Sequence, residues 1–528
     1  MTAPPAGVFD RPQGDRYAEE PGSSGKRPLV LIALAVVAAL IIGGGAFAVT
    51  RVLGGGGDQP AGALPASTAA YLRMDIDPSV GQKIAAVQFF EGLDPEITEQ
   101  LNNGELRKEM FETLAEEDEA FADIDYESDI EPWLGDRLAI GVVPTGESEP
   151  IVAAALQVTD QDAAADGLER LKSAAEQSEE GGEVPVDWFF HGEYAVLTTT
   201  ESLDTLRQEV EAGTLAEDET FQSDIEALGD EGVLSFWFDA AGLSPYMDQA
   251  GAEGAPLGDI TSNDPSAYST WLTGGQFDGV GQGRMAAAVR FGEDHVEVHG
   301  VARGIPLAEL DDTDTAQLVL DLPEDTAVAA GLEHGGQLVA AAYEQLRTQL
   351  PEEFAEMESE ASAEGWTLPD DIQTLVGQSL AISVGPDILD TGSMQDMAEA
   401  PVAYRVQTDT EAANALIDRI LAEGGGGEVL VRREDDGVLT LGLDQAYIDT
   451  VASGGSLGGV STFESAIPNA EDADGIFYLD LNAFEDEYLP EIEDPDARAS
   501  VQEIAALGIS SRWTGDGNAE FTLRVVAD

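Results

Sequence analysis

His295, Glu297 and His299 place metal-binding side chains at three alternate positions of one short run. If the run is a strand, its period of two brings all three to one face, where an imidazole and a carboxylate could share Zn²⁺ or Cu²⁺. The intervening Val296 and Val298 also describe an ordinary half-buried strand with its polar side in water. The corresponding run in the second half of the chain, Ala519 to Val526, contains no histidine, so a duplicated metal site is not expected. Gly454-Gly455-Ser456-Leu457-Gly458 fits the G-x-S-x-G pattern of a nucleophile elbow, but it follows a helical stretch, Gln445 to Ala452. The last histidine, His334, precedes that serine, whereas the elbow's triad places histidine after it.

Other chemistries fail on spacing. Asp472-Ala473-Asp474-Gly475 resembles a calcium loop, yet its first and twelfth positions fall on Ala470 and Leu481, which cannot ligate. Glu116 to Glu119, Asp311 to Asp314 and Glu485 to Glu487 are acidic clusters of the kind that chance produces in a chain with 103 Asp and Glu residues. Gly281-Gln282-Gly283 lacks the glycines and the Lys-Ser/Thr of a phosphate loop. No cofactor is expected. The aromatic triplets Trp188-Phe189-Phe190 and Phe236-Trp237-Phe238 read as strands filling a core.

The formal net charge is −79, and the part after Leu53 carries −80, since five basic and four acidic residues precede its start. Nucleic-acid recognition needs basic patches to neutralise phosphate, so nucleic acid is excluded as a partner. There is no cysteine, hence no disulfide, thiolate nucleophile or thiolate metal site.

The apolar run Leu29–Leu53 carries one basic residue, Arg51, and as a helix it extends roughly 37 Å, enough to cross a hydrocarbon core of about 30 Å. Arg11, Arg16, Lys26 and Arg27 precede it, so the positive-inside bias puts the short tail in the cytoplasm and the body outside the cell. A cleaved signal peptide ending at Ala46-Phe47-Ala48 is the competing reading, and it exports the body too. The expected organisation is a disordered cytoplasmic tail (1–28), a transmembrane helix (29–53), a Gly-rich linker (54–63) and two extracytoplasmic domains (64–305 and 306–528).

The two domains are read from a duplication. Leu64-Pro65 with Thr68-Ala69 returns as Leu322-Pro323 with Thr326-Ala327, and Trp133 to Pro144 returns as Leu375 to Pro386. Val158, Ala164, Ala165 and Leu168 match Val406, Ala412, Ala413 and Leu416, and Thr220-Phe221 with Ile225 match Thr462-Phe463 with Ile467. Four stations in one order mark a true repeat. The first half reads as strands at 70–74, 138–143, 151–158, 186–190, 194–199, 233–238, 284–290 and 295–302. Helices are expected at 79–91, at 104–117, from the cap Asp160 to about Glu176, and after Ser202 and Asp218. Short turns between strands imply antiparallel pairing, so the fold class is α+β, each domain a largely antiparallel sheet with helices packed on one face.

The apolar anchor, the Gly-rich spacer, the LP-x-x-T-A step at Leu64 to Ala69, the segment Trp133 to Ile140 and the run Thr220 to Leu228 resemble the bacterial membrane-anchored family catalogued as domain of unknown function 3352. The resemblance implies architecture and location and carries over no functional residue. The expected function is a binding or structural role at the cell envelope. The chain would be tethered to the lipid bilayer by the N-terminal helix and would engage an unidentified envelope protein or ligand. The alternative is a tethered envelope hydrolase whose carboxylates converge only in the fold.

Overall fold

The structure, a computed structural model, describes residues 59–76, 78–93, 108, 111, 124–146, 149–177, 185–250, 283–304, 310, 317–349, 351–390, 400–424, 430–492, 494–515 and 517–528. The expected tail, the expected transmembrane helix 29–53, nearly all of the expected helix 104–117 and two of the acidic clusters lie outside these residues. Among the described residues no helix is long and apolar enough to cross a membrane.

The first repeat supplies strands β1 (Ala70–Asp75), β2 (Leu134–Val143), β3 (Ile151–Val158), β4 (Val186–His191), β5 (Tyr194–Thr199), β6 (Leu234–Asp239), β7 (Arg284–Phe291) and β8 (His295–Arg303). The second supplies β9 (Val328–Glu333), β10 (Ser379–Val384), β11 (Val402–Gln407), β12 (Val431–Asp435), β13 (Val438–Gly442), β14 (Gly475–Asp480), β15 (Ile504–Gly515) and β16 (Asn518–Ala527). All sixteen form one sheet in the order β12-β13-β11-β10-β9-β14-β15-β16-β8-β7-β6-β1-β2-β3-β5-β4. Read outward from its centre, each half has the same order, so β1 corresponds to β9 and β8 to β16. The halves meet where β8 pairs antiparallel with β16, each being the last strand of its repeat. The duplication thus builds one continuous sheet and not two separate sheets, because hydrogen bonding runs across the boundary between 64–305 and 306–528.

Helices cover both faces, which corrects the one-face expectation. On the first face, α3 (Leu203–Ala212) and α4 (Glu219–Leu228) bury Leu206, Val210, Phe221 and Leu228 against Tyr71, Ala153, Val196 and Trp237. On the second, α2 (Gln161–Gln177) buries Ala164 and Leu168 with Leu138, Ala154 and Leu156, while α1 (Val80–Leu93) packs Ala85, Ala86 and Phe89 beside Val233 and Phe291. The second repeat follows suit. There α6 (Gln445–Ala452) and α7 (Ser461–Ala466) place Ile448, Val451 and Phe463 over Ala329, Ala403 and Tyr478, and α5 (Thr410–Gly424) sets Ala413 and Ile417 on Val406 and Leu439 opposite. The physical reason is visible in β3, whose Ile151 to Leu156 holds no polar residue and therefore needs cover on both sides.

The capping residues also refine the alignment of the repeats. Asp160 accepts from the Ala163 amide at 3.0 Å and Asp409 from the Ala412 amide at 3.1 Å. Ala164 therefore matches Ala413, and Leu168 matches Ile417, one position away from the match read in the sequence. Pro60–Ala63, read as spacer, is a 3-10 turn whose Ala61 and Ala63 are buried in the first-face core.

Candidate functional site

Among the described residues, a group of ionisable side chains lies on the first face, along the seam where β8 meets β16. His295, Glu297 and His299 do share one face of β8, as their alternation requires. Their partners come from elsewhere. The register sets Glu297 opposite Arg524 and His299 opposite Thr522. Arg524 approaches Glu297 through Nε at 2.9 Å and Nη2 at 2.7 Å, and Arg290 lies 3.3 Å from the other carboxylate oxygen. His299 Nδ1 is 3.1 Å from the Thr522 hydroxyl. His295 Nδ1 is 2.8 Å from Asp294, whose second oxygen accepts from the Ser465 hydroxyl at 3.0 Å.

The same groups fasten helices to the sheet. Arg290 donates to the Leu228 carbonyl at the end of α4 at 3.1 Å, and Arg524 donates to the Ser465 carbonyl in α7 at 2.9 Å. One helix from each repeat is thereby tied to the central strands. Glu297 is 14% exposed with two guanidinium groups on it, an arrangement that neutralises a carboxylate instead of offering it to a cation. Among the described residues no group of three or more His, Asp or Glu side chains is arranged to hold a metal ion. Ser465, Asp294 and His295 are in contact, but the carboxylate lies between serine and imidazole, the reverse of the order in a serine triad, so the serine has no imidazole beside it.

Electrostatics follow from these contacts. Burial, then the Arg290 guanidinium, holds the His299 imidazole below its ordinary value. Burial pushes Asp294 up, yet the hydrogen bonds from His295 and Ser465 outweigh it and leave its carboxyl below the usual range. The arginines of the seam were not legible beforehand, because Arg524 and Glu297 are 227 positions apart. One local signal did exist. Arg290 faces Glu297 across the β7–β8 turn and Arg512 faces Glu520 across the β15–β16 turn, a cross-strand ion pair kept in both repeats.

A second charged cluster is fully internal. Asp75 at the end of β1 contacts Arg73 at 2.9 Å and Arg137 at 3.1 Å, all three about 5% exposed, and Arg73 also donates to the Gln59 side chain at 3.0 Å. In the second repeat the register sets Glu333 and Ser379 at the places of Asp75 and Arg137, and the Ser379 hydroxyl donates to Glu333 at 3.1 Å. The matched segments Trp133 to Pro144 and Leu375 to Pro386 already align Arg137 with Ser379, whereas Asp75 and Glu333 lie outside the stations matched in the sequence.

The remaining candidates are structural. Ser456 donates to Glu324, and a Cβ on Gly455 would sit 2.4 Å from the Leu322 carbonyl oxygen, so this loop needs glycine for close packing. Asp474 accepts from the Trp513 amide at 2.6 Å and lies 3.3 Å from His334 Nε2. Phe189 and Trp237 are core residues of the first face, as expected, while Phe236 and Phe238 occupy the second face and remain half-buried.

No curated protein matches the chain significantly. A solved structure described as crystal form III of TP0453 is similar at 8% identity over 48% of this chain and 83% of that chain, with a TM-score of 0.24, too low to carry an argument. Residues 30–184 match the family described as protein of unknown function DUF3352, the domain of unknown function that the sequence resembles.

Proposed function

We propose that this chain is a non-enzymatic binding protein of the cell envelope, tethered to the membrane through Leu29–Leu53 with its sixteen-stranded body outside the cell. The observation that carries the non-enzymatic part is the seam. Its Glu297 carboxylate is held between two guanidinium groups, and its serine has no imidazole beside it, so the ionisable groups serve to join the repeats. The tether is supported by the apolar run and by the way the chain enters the body. Gln59, five residues after Gly54, is bonded to buried Arg73, so the folded body begins within a few residues of the apolar run.

Protease added to intact protoplasts, followed by immunoblotting at both ends of the chain, tests the topology. The body should be degraded while a short amino-terminal fragment survives in the membrane pellet. Full protection of the intact chain would overturn the outside assignment, and recovery of the whole chain in the soluble fraction would overturn the tether.

A further inference from the structure

The two repeats treat one buried polar position differently. In the first, Asp224 of α4 is buried and accepts from Trp237 Nε1 at 3.0 Å and from Arg284 Nε at 2.8 Å. Arg284 also faces Asp239 across the β6–β7 ladder. The aromatic contacts equate Phe221 with Phe463 and Trp237 with Tyr478, and the ladders then equate Asp239 with Asp480 and Arg284 with Ala506. By the offset of Phe221 from Phe463, Asp224 becomes Ala466. The second repeat has thus lost both the guanidinium and the helix carboxylate, yet it keeps Asp480 and gives Tyr478 a hydroxyl. Tyr478 is fully buried and approaches Asp480 without a well-formed hydrogen bond, so its hydroxyl and Asp480 Oδ1 are both buried and unpartnered. Tyr488, which ends the short helix Glu485–Tyr488, buries a third oxygen in the same condition. The charge of Asp528 acts on both Asp480 and Tyr488, and the Asn482 side chain donates to Asp528 at 3.0 Å, which gathers these groups at the outlet of β14.

A buried oxygen without a donor is costly, so three at one end of a strand call for a donor from outside the chain. The oxygens themselves select it. Burial pushes both tyrosine hydroxyls up, so they stay neutral phenols that can accept through a lone pair. Asp480 retains the carboxylate that in the first repeat faces a guanidinium. Among the described residues no three carboxylate or imidazole side chains converge as a divalent metal ion would need. A primary ammonium carries three N–H donors, one for each oxygen, and its charge stands in for that of Arg284. A net charge of −79 also draws cations to the body. Resting on the binding role proposed above and naming a ligand class for it, we propose that the outlet of β14 in the second repeat binds a primary ammonium ion through Asp480, Tyr478 and Tyr488, where the first repeat uses its own Arg284.

The test follows thermal unfolding of the purified full-length chain as methylammonium chloride replaces tetramethylammonium chloride at constant ionic strength. Tetramethylammonium has the charge but no N–H donor. The midpoint should rise with methylammonium, as binding to the folded state requires. Asp480→Asn should weaken the apparent affinity about tenfold or more, and Tyr478→Phe by a smaller factor, because a charged hydrogen bond is the stronger one. Ala506→Arg, which returns the cation of the first repeat, should abolish the response. Circular dichroism shows which variants are folded, and the nearly isosteric Asp480→Asn keeps the site testable if Ala506→Arg is not. Acetyl-lysine methylamide, run in parallel, separates the sources. A response to it as well assigns a lysine side chain, and a response to methylammonium alone assigns a small amine. No rise with methylammonium, an equal rise with potassium chloride, or a response unchanged in Asp480→Asn overturns the site. Each of these failures leaves the tether and the outside placement standing, since protease protection decides them separately.

Discussion

His299 and Thr522 lie 3.1 Å apart on adjacent strands, and they are the same position of the two repeats. Glu297 corresponds to Glu520 through the ion pairs to Arg290 and Arg512, so two residues further on His299 corresponds to Thr522. A pseudo-twofold axis therefore passes between them. Axial positions of a duplicated fold face themselves, and here the two copies have diverged into an imidazole and a hydroxyl that complement each other.

This pairing gives a pH dependence. The folded state holds His299 below its ordinary value of 6.5, so as pH falls the unfolded chain takes up the proton first. The contribution of this residue to stability is complete above about pH 6.5 and is lost progressively below it. Urea midpoints measured at about pH 7.5 and about pH 5.5 should converge in His299→Gln relative to the parent chain. An unchanged pH slope in the variant would remove His299 from the account.

Arg524 joins the repeats through two nitrogen contacts with Glu297. Arg524→Ala should lower stability by about 1–3 kcal/mol, because it strips a charged hydrogen bond from a poorly exposed carboxylate. A double-mutant cycle with Glu297→Gln should return a coupling of about 0.5–3 kcal/mol. Arg207→Ala breaks a surface pair in which Asp204 is 85% exposed, and it should stay within about 0.5 kcal/mol. Equal effects of the two arginine substitutions in chemical denaturation would contradict the seam's role.

Asp75→Ala leaves two buried guanidinium groups without their shared carboxylate. A loss of about 3–5 kcal/mol is expected, read as a shift in denaturation midpoint. Replacing the whole triad with apolar residues of similar volume should recover much of it, since desolvation offsets most of the Coulombic attraction.

The repeats also share an aromatic contact. Phe221 meets Trp237 edge-on at 5.5 Å, and Phe463 meets Tyr478 in the same way at 5.0 Å. Phe221→Ala and Phe463→Ala should each cost about 3–5 kcal/mol, with similar values if the two cores are equivalent. Calorimetry of both variants decides it, and a loss confined to one repeat would show that the cores have drifted apart.

Much of this architecture was legible because the signals were local. Alternation and turns placed β3 and β5 to the residue, and Asp160 and Asp218 cap the helices they were expected to start. The faces were harder. The run of alanines in β3 is the mark of a strand covered twice, but a helix count alone does not say which side each helix takes. The seam was least accessible. Alternation shows that His295, Glu297 and His299 share a face, yet it is silent about the strand that will lie beside them. Arg524 and Thr522 come from the far half of the chain, so a reading of β8 alone sees three open ligands where the fold supplies three engaged partners.

The junction also fixes an order of events during synthesis. His299 is synthesised 223 positions before Thr522 arrives to meet it, so throughout that interval the nascent first half displays an unsatisfied strand margin. The final strand acts as a closing zipper. Chains interrupted before it should stick to one another or to a holding chaperone, which makes β16 a checkpoint for assembly of the whole sheet.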